Sequence, residues 1–389
     1  MMKSNHHTSE GLLAIDLFLN ANFEFRHNVL RGMVEYKMKD AADDADFQPV
    51  DEMVINTIVR MAKKHGLEGN LRTDVKEAIY SLDTPGYDPI RHYLSNLPEH
   101  DGVDRVMPFF QRIPGITAQQ VYFGSIYLRS MVAHFLQKDT ACGNQAMLLF
   151  IGDQGCGKSR FVQSILPPVL RLYYLDHLNL ANKFDKEMAL THNLLVNIDE
   201  FDQVKPTQQA ELKQTLTKNR VNGRPIYGHA QADRPRYASF VGTTNNRHPL
   251  QDPTGSRRYI CLEVPKGKLI DNDSQVDYEQ FYAQLVKEVE NGERYYFTND
   301  EVMDIQQLNL PYYGNVNLED VLNSCFAMPT EKNPGRKYLV SEIISIMSEY
   351  HPAISCNRST STSVGSILRS LGLKAHHTNK GACYELERK

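Results

Sequence analysis

The run Gly152-Asp153-Gln154-Gly155-Cys156-Gly157-Lys158-Ser159 fits the spacing GxxxxGK[ST]. An apolar segment, 147–151, leads into it, and a plausible helix, 160–165, leads out. Strand, loop and helix in that order are the context in which this spacing binds phosphate. Glycines let the backbone curl so that its N–H groups face an anion, and the helix N-terminus adds a favourable dipole. Gly152, Gly155, Gly157, Lys158, Ser159 and Arg160 are therefore the expected nucleotide contacts. Lys158 would neutralise β/γ charge and Ser159 would ligate Mg²⁺, so ATP and Mg²⁺ are the expected ligands.

Further along, the apolar run Leu194-Leu195-Val196-Asn197-Ile198 ends in Asp199-Glu200. Two carboxylates at the C-terminal end of a buried strand sit where an α/β sheet opens its ligand crevice. Asp199 would hold the metal, and Glu200 would polarise an attacking water. A third apolar run, 238–242, ends in Thr243-Thr244-Asn245-Asn246, which brings a carboxamide to the same edge. Asn245 is expected there ahead of Asn246, to orient water or the γ-phosphate. Gly255-Ser256-Arg257-Arg258 follows, and either arginine would stabilise transferred-phosphate charge, in its own site or in a neighbour's. Between the carboxylates and the Asn strand lies the outstanding basic stretch, 213–236. It has the form of a loop or hairpin with Pro225-Ile226-Tyr227-Gly228-His229 at its tip. Lys213, Lys218, Arg220, Arg224, Tyr227 and His229 are the residues expected to grip a nucleic-acid backbone.

These segments must be positioned by short buried strands alternating with helical stretches over 145–264, the pattern of a largely parallel sheet. Upstream, residues 1–84 mix an apolar opening, a possible hairpin (23–29 and 33–36 around Arg31-Gly32) and two amphipathic helices near 51–65 and 72–82. Thr84-Pro85-Gly86 breaks that pattern, and a helical collar is expected over 85–140. The core then spans 141–265 and a helical lid or linker 266–320. The last segment, 321–389, offers two helices, at 341–350 and 362–371, and a two-stranded ribbon. That is a winged-helix-like domain, a module that serves either a DNA groove or a protein partner.

Taken in order, the phosphate loop, Asn197-Ile198-Asp199-Glu200, the basic stretch, Gly242-Thr243-Thr244-Asn245 and Gly255-Ser256-Arg257-Arg258 resemble the virulence-associated E family. Tyr87-Asp88-Pro89-Ile90-Arg91-His92-Tyr93-Leu94 and Asp101-Gly102-Val103-Asp104-Arg105 extend the resemblance upstream. That family is related to superfamily 3 helicases and to phage or plasmid replication proteins of AAA+ type. The resemblance implies an α/β fold with an AAA+ type P-loop core and mainly parallel sheet. It also implies an ATP-driven helicase or translocase of a mobile element or prophage. Such a protein would act on single-stranded or forked DNA as a homo-oligomeric ring, a hexamer, with 213–236 as its pore hairpin. An NTP-gated initiator or switch that binds DNA without processive unwinding is the competing reading. The chain departs from its relatives at His100, where they commonly carry tryptophan, and 1–84 has no recognisable room for a primase.

The formal net charge of −4 means that any nucleic-acid contact must come from a local basic surface. Six scattered cysteines form neither a CxxC pair nor a zinc cluster. No segment approaches the apolar length of a membrane span or signal peptide, so a cytoplasmic protein is expected.

Overall fold

Residues Met147–Ile151 are buried on both faces, so their side chains, alternating across the strand, must meet two separate cores. In the computed structural model Leu148 and Phe150 point into one cluster, and Met147, Leu149 and Ile151 into another. This strand, β1, lies inside a five-stranded parallel sheet with β2 (Tyr174–Leu175), β3 (Leu195–Ile198), β4 (Ser239–Thr244) and β5 (Tyr259–Glu263). The spatial order is β5-β1-β4-β3-β2. The structure describes residues 5–42, 45–138, 144–204, 206–223, 232–250, 253–314, 317–329, 334–351, 354, 356–379 and 381–389.

One face of the sheet is covered by the helices Ala118–Phe135 and Tyr278–Glu290. The first begins with a Thr117/Gln120 capping box, and its Tyr127 hydroxyl donates to Phe240 O at 2.7 Å. The opposite cluster gathers Ala189, Leu190, Leu212 and Leu216 from the helices Lys183–His192 and Pro206–Thr217. The result is an α/β core with a parallel sheet between two helical layers.

The N-terminal residues form a helix, Asn5–Asn22, an antiparallel hairpin, Phe23–Asn28 with Met33–Met38, and the helices Glu52–Lys64 and Leu71–Ile79. Their own core contains Ile15, Phe18, Val34, Ile55 and Val75. Asn28 joins this unit to the P-loop core, its Nδ2 donating to Glu35 and to the Tyr173 hydroxyl, each at 2.8 Å.

The C-terminal segment is winged-helix-like, with the helices Val340–Tyr350 and Arg358–Ser370 over a small antiparallel sheet. Two details differ from the sequence reading. The second helix starts four residues earlier than expected, because Asn357 caps it at Thr360 N while its first turns carry only Arg, Ser and Thr and show no apolar period. The ribbon is also more than two strands, since Gly381–Arg388 pairs with His376–Thr378, Arg336–Leu339 and Phe326–Ala327.

His134 ends the long helix in full burial, its Nε2 accepting the Asn144 N–H at 2.6 Å, and Arg236 lies close by. Burial pushes its pKa from 6.5 down to about 3, with the guanidinium acting in the same direction. The unfolded chain therefore binds a proton between those values that the folded chain does not, so stability is full above pH 6.5 and falls as pH drops toward 3. In denaturation series across that window, His134→Gln should flatten the dependence by about 1.4 kcal/mol per pH unit, one proton's worth. An unchanged slope would exclude His134 as a source of acid sensitivity.

Candidate functional site

Parallel register brings three strand ends to one edge of the sheet. Gly242 on β4 lies opposite Leu149 on β1 and Ile198 on β3, and Thr244 opposite Ile151. The chain leaves β1 at Gly152, β3 at Asp199 and β4 at Asn245, so all three motifs open on one crevice. A cavity of about 400 Å³ lies there, lined by Gly155, Gly157, Lys158, Ser159 and Arg160 from the loop and helix, Asp199 and Glu200, and Thr243 to Asn245.

Lys158 is buried, and its ammonium donates to Gly152 O at 2.8 Å, Asp153 O at 2.9 Å and Asn245 Oδ1 at 2.9 Å. One cation thus binds the loop to the end of β4. Gly155 (φ +80°) and Gly157 (φ +94°) occupy the left-handed region that turns successive N–H groups inward. Gly157 is also crowded, since a Cβ there would lie 2.5 Å from Asn272 Nδ2, which donates to Gly157 O at 3.0 Å. Ser159 and Asp199 face the same cavity, and their oxygens are the hard donors that Mg²⁺ takes while keeping most of its waters. Asp199 accepts from the Thr243 hydroxyl, and Asp202 from that of Thr244. Among the described residues no cluster of three or more His, Cys, Asp or Glu offers another metal site.

Glu200 has φ +49°, a left-handed backbone rare for a residue with a side chain. Its carboxylate accepts from Gln203 Nε2 at 2.6 Å, one turn further on. Arg257 and Arg258 do not line the cavity. Arg257 is exposed; Arg258 is half-buried, and its Nε is buried with no hydrogen-bond partner among the described residues. Burial, then the charge of Arg257, lowers the Arg258 pKa. Burial and Arg258 lower that of Lys213.

The basic stretch requires correction. A hairpin exists, with Arg220–Gly223 antiparallel to Ala232–Pro235, but Lys213 lies before it on the helix Pro206–Thr217. Arg236 is fully buried and donates to Ala238 O, Leu216 O, Lys218 O and Asn144 O at 2.7 to 3.0 Å, so it is a structural cation. Arg220 pairs with Asp233 at 2.5 Å, and Arg234 lies 3.8 Å from Glu187. Those pairings follow from facing hairpin registers and a neighbouring helix, which a linear count of charges does not reveal. Arg224, Tyr227 and His229 lie outside the described residues.

Sequence reasoning also missed Arg247, two residues past Asn245. Its guanidinium bridges Asp153 in the phosphate loop, at 3.1 Å, and Glu263 at the end of β5. The bond from Arg247 holds the Asp153 carboxyl below the usual range. Nor did any motif mark the segment after β5, where Ile270 N donates to Cys156 O at 3.0 Å and Arg112 holds Asp271 O at 2.7 Å.

The family model of the virulence-associated protein E-like domain matches residues 94–312, over half the chain and all of this cavity. The chain belongs to that family. Among solved structures it is similar to the A form apo structure of the NrS-1 C-terminal region, at 11% identity over 97% of this chain and 100% of that one, with a TM-score of 0.42. It is also similar to a mutant of Thermotoga maritima RuvB, at 13% identity over 69% and 93%, with a TM-score of 0.25. The curated proteins give no match. Among the described residues of this virulence-associated E protein, no helix is long and apolar enough to cross a membrane.

The two left-handed loop glycines give a stability test. Gly155→Ala meets open space and should lose only the backbone term, about 1–2 kcal/mol. Gly157→Ala adds the Asn272 contact and should lose more, read as a lower denaturation midpoint. Equal losses would mean that the Asn272 side chain yields freely.

Proposed function

We propose that this virulence-associated E protein is an ATP-hydrolysing DNA helicase or translocase serving the replication of a mobile element or prophage. It would work as a ring, a hexamer, with ATP cleaved at subunit interfaces. The observation that carries this reading is an incomplete site. The cavity gathers Lys158, Ser159, Arg160, Asp199, Glu200 and Asn245, but the Arg160 guanidinium is paired with Asp273 at 3.1 Å, and Arg257 and Arg258 lie elsewhere on the same chain. Phosphoryl transfer needs a guanidinium against the developing charge, and a neighbouring subunit is its natural source.

In this reading Lys158 exchanges its loop carbonyls for β/γ-phosphate oxygens. Gly155 and Gly157 aim N–H groups at the phosphates, and Arg160 flanks them. Bound Mg²⁺, held by Ser159 and through Asp199, would neutralise phosphate charge. Glu200 orients the attacking water once Gln203 releases it, and Asn245 senses the γ-phosphate. Arg257, the exposed member of its pair, reaches into the adjacent subunit. Lys213, Lys218 and Arg220 lie on or beside the hairpin root, and with Arg224, Tyr227 and His229 they would track a single strand by its backbone.

The deciding experiment mixes two inactive variants. Lys158→Ala and Arg257→Ala should each hydrolyse ATP at under about a tenth of the wild-type rate, an arginine finger alone being worth 10³ or more. Mixed, they should recover activity, because an interface between one subunit's intact loop and the other's intact arginine is complete. Failure to recover, with rings present by light scattering, would sink the shared site. Forked DNA should raise the wild-type rate and be unwound. Assembly and DNA binding without strand separation would point to the NTP-gated initiator instead.

A further inference from the structure

The helix Arg358–Ser370 buries Val364, Gly365 and Leu368 against its own domain, where the Tyr384 hydroxyl reaches Gly365 O at 3.4 Å. Its opposite side, with Arg358, Thr362, Ser363, Ser366 and Arg369, is exposed and carries no carboxylate. Three of the five acids in residues 321–389 are engaged elsewhere. Glu342 caps Leu339 N at 2.8 Å, Glu349 pairs with Arg388 at 3.2 Å, and Glu385 lies 3.6 Å from Lys337 and 3.8 Å from His376. Residues 321–389 hold nine Lys or Arg against five Asp or Glu, in a chain whose net charge is −4. Positive charge is therefore concentrated here while the remainder is acidic.

We infer that this face is a docking surface for duplex DNA, with Arg358–Ser370 entering the major groove. Arg358 and Arg369 are eleven residues apart, about 16 Å along the axis. That separation exceeds the roughly 12 Å width of the major groove, so the two guanidinium groups meet phosphates on opposite walls. Between them the short Ser363 and Ser366 hydroxyls donate to phosphate or base edges without bulk, while Thr362 donates its own to Arg358 O at 2.8 Å. Lys374 follows the helix, and the exposed strand His376–Thr378 forms a wing along the neighbouring backbone. Charge complementarity favours a polyanion over a protein groove, since the exposed face offers no apolar anchor. The surface is separate from the nucleotide cavity and needs no hydrolysis.

The test is fluorescence anisotropy of the full chain, without nucleotide, on a duplex closed by hairpins and on a single strand. Arg358→Glu with Arg369→Glu should weaken duplex binding at least tenfold, leave the single strand unaffected, and lower the salt slope by about 1.8, two phosphate contacts. Ser363→Glu with Ser366→Glu, which places carboxylates on the same face and leaves both arginines, should also weaken duplex binding. Lys63→Glu with Lys64→Glu, an equal change of charge on an exposed N-terminal helix end, should not. Unchanged duplex affinity in both helix variants, an equal loss on the single strand, or an equal loss in the lysine control would each overturn the proposal.

Discussion

A buried ammonium needs oxygens around it, and the way Lys158 finds them organises the site. Burial without partners would cost several kcal/mol, and two of the three oxygens in contact come from the loop that carries the lysine. The third comes from Asn245, across the crevice on the next strand. That bond is available only because β4 stands beside β1, and β4 stands there because it inserts between β1 and β3. The loop, the acidic pair and the Asn strand end are thereby separated laterally and open on one crevice. A triphosphate entering the crevice would replace neutral carbonyl partners with charged ones.

The surrounding contacts make the arrangement stiff. Arg247 ties the loop to the far edge at Glu263, and residues 270–273 hold it from behind, with Arg160 also pairing to Asp273 at 3.1 Å. Gly242 extends the same logic into the sheet, since a Cβ there would press on the Leu149 and Met147 side chains at 3.1 Å. The left-handed Glu200 is the exception in this rigid frame. It sits in a sparsely populated backbone conformation at the point where a carboxylate would have to be released.

The motifs that line the crevice were legible because each is local: a loop, a strand ending in acids, a strand ending in amides. The parallel sheet was legible from mainly apolar runs too short for helices. What stayed hidden depends on contacts distant in sequence. Arg236 looked like one more surface cation, yet it joins carbonyls from 144, 216, 218 and 238 in the interior. The two-residue strand Tyr174–Leu175 gives no periodic signal, and Arg247 has no motif at all. The polar helix Arg358–Ser370 hid its first turns because a side-chain cap, not an apolar stripe, starts it.

Arg236 also connects the two halves of the proposed machine. It clamps the end of the helix Pro206–Thr217, through Leu216 O and Lys218 O, to the start of β4 at Ala238 O. The hairpin Arg220–Gly223 with Ala232–Pro235 springs from that clamp, and Lys213 on the same helix stands in the field of Arg258. An anion arriving at Arg257 and Arg258 would be attracted by both guanidinium groups. Under the proposed reading that anion is the neighbour's nucleotide. Its arrival or cleavage would change the field on Lys213 and so bear on the helix that ends at the hairpin root. Under that reading, a hairpin rooted beside one strand end and driven from a neighbour's site would give a physical route from hydrolysis to a pull on DNA.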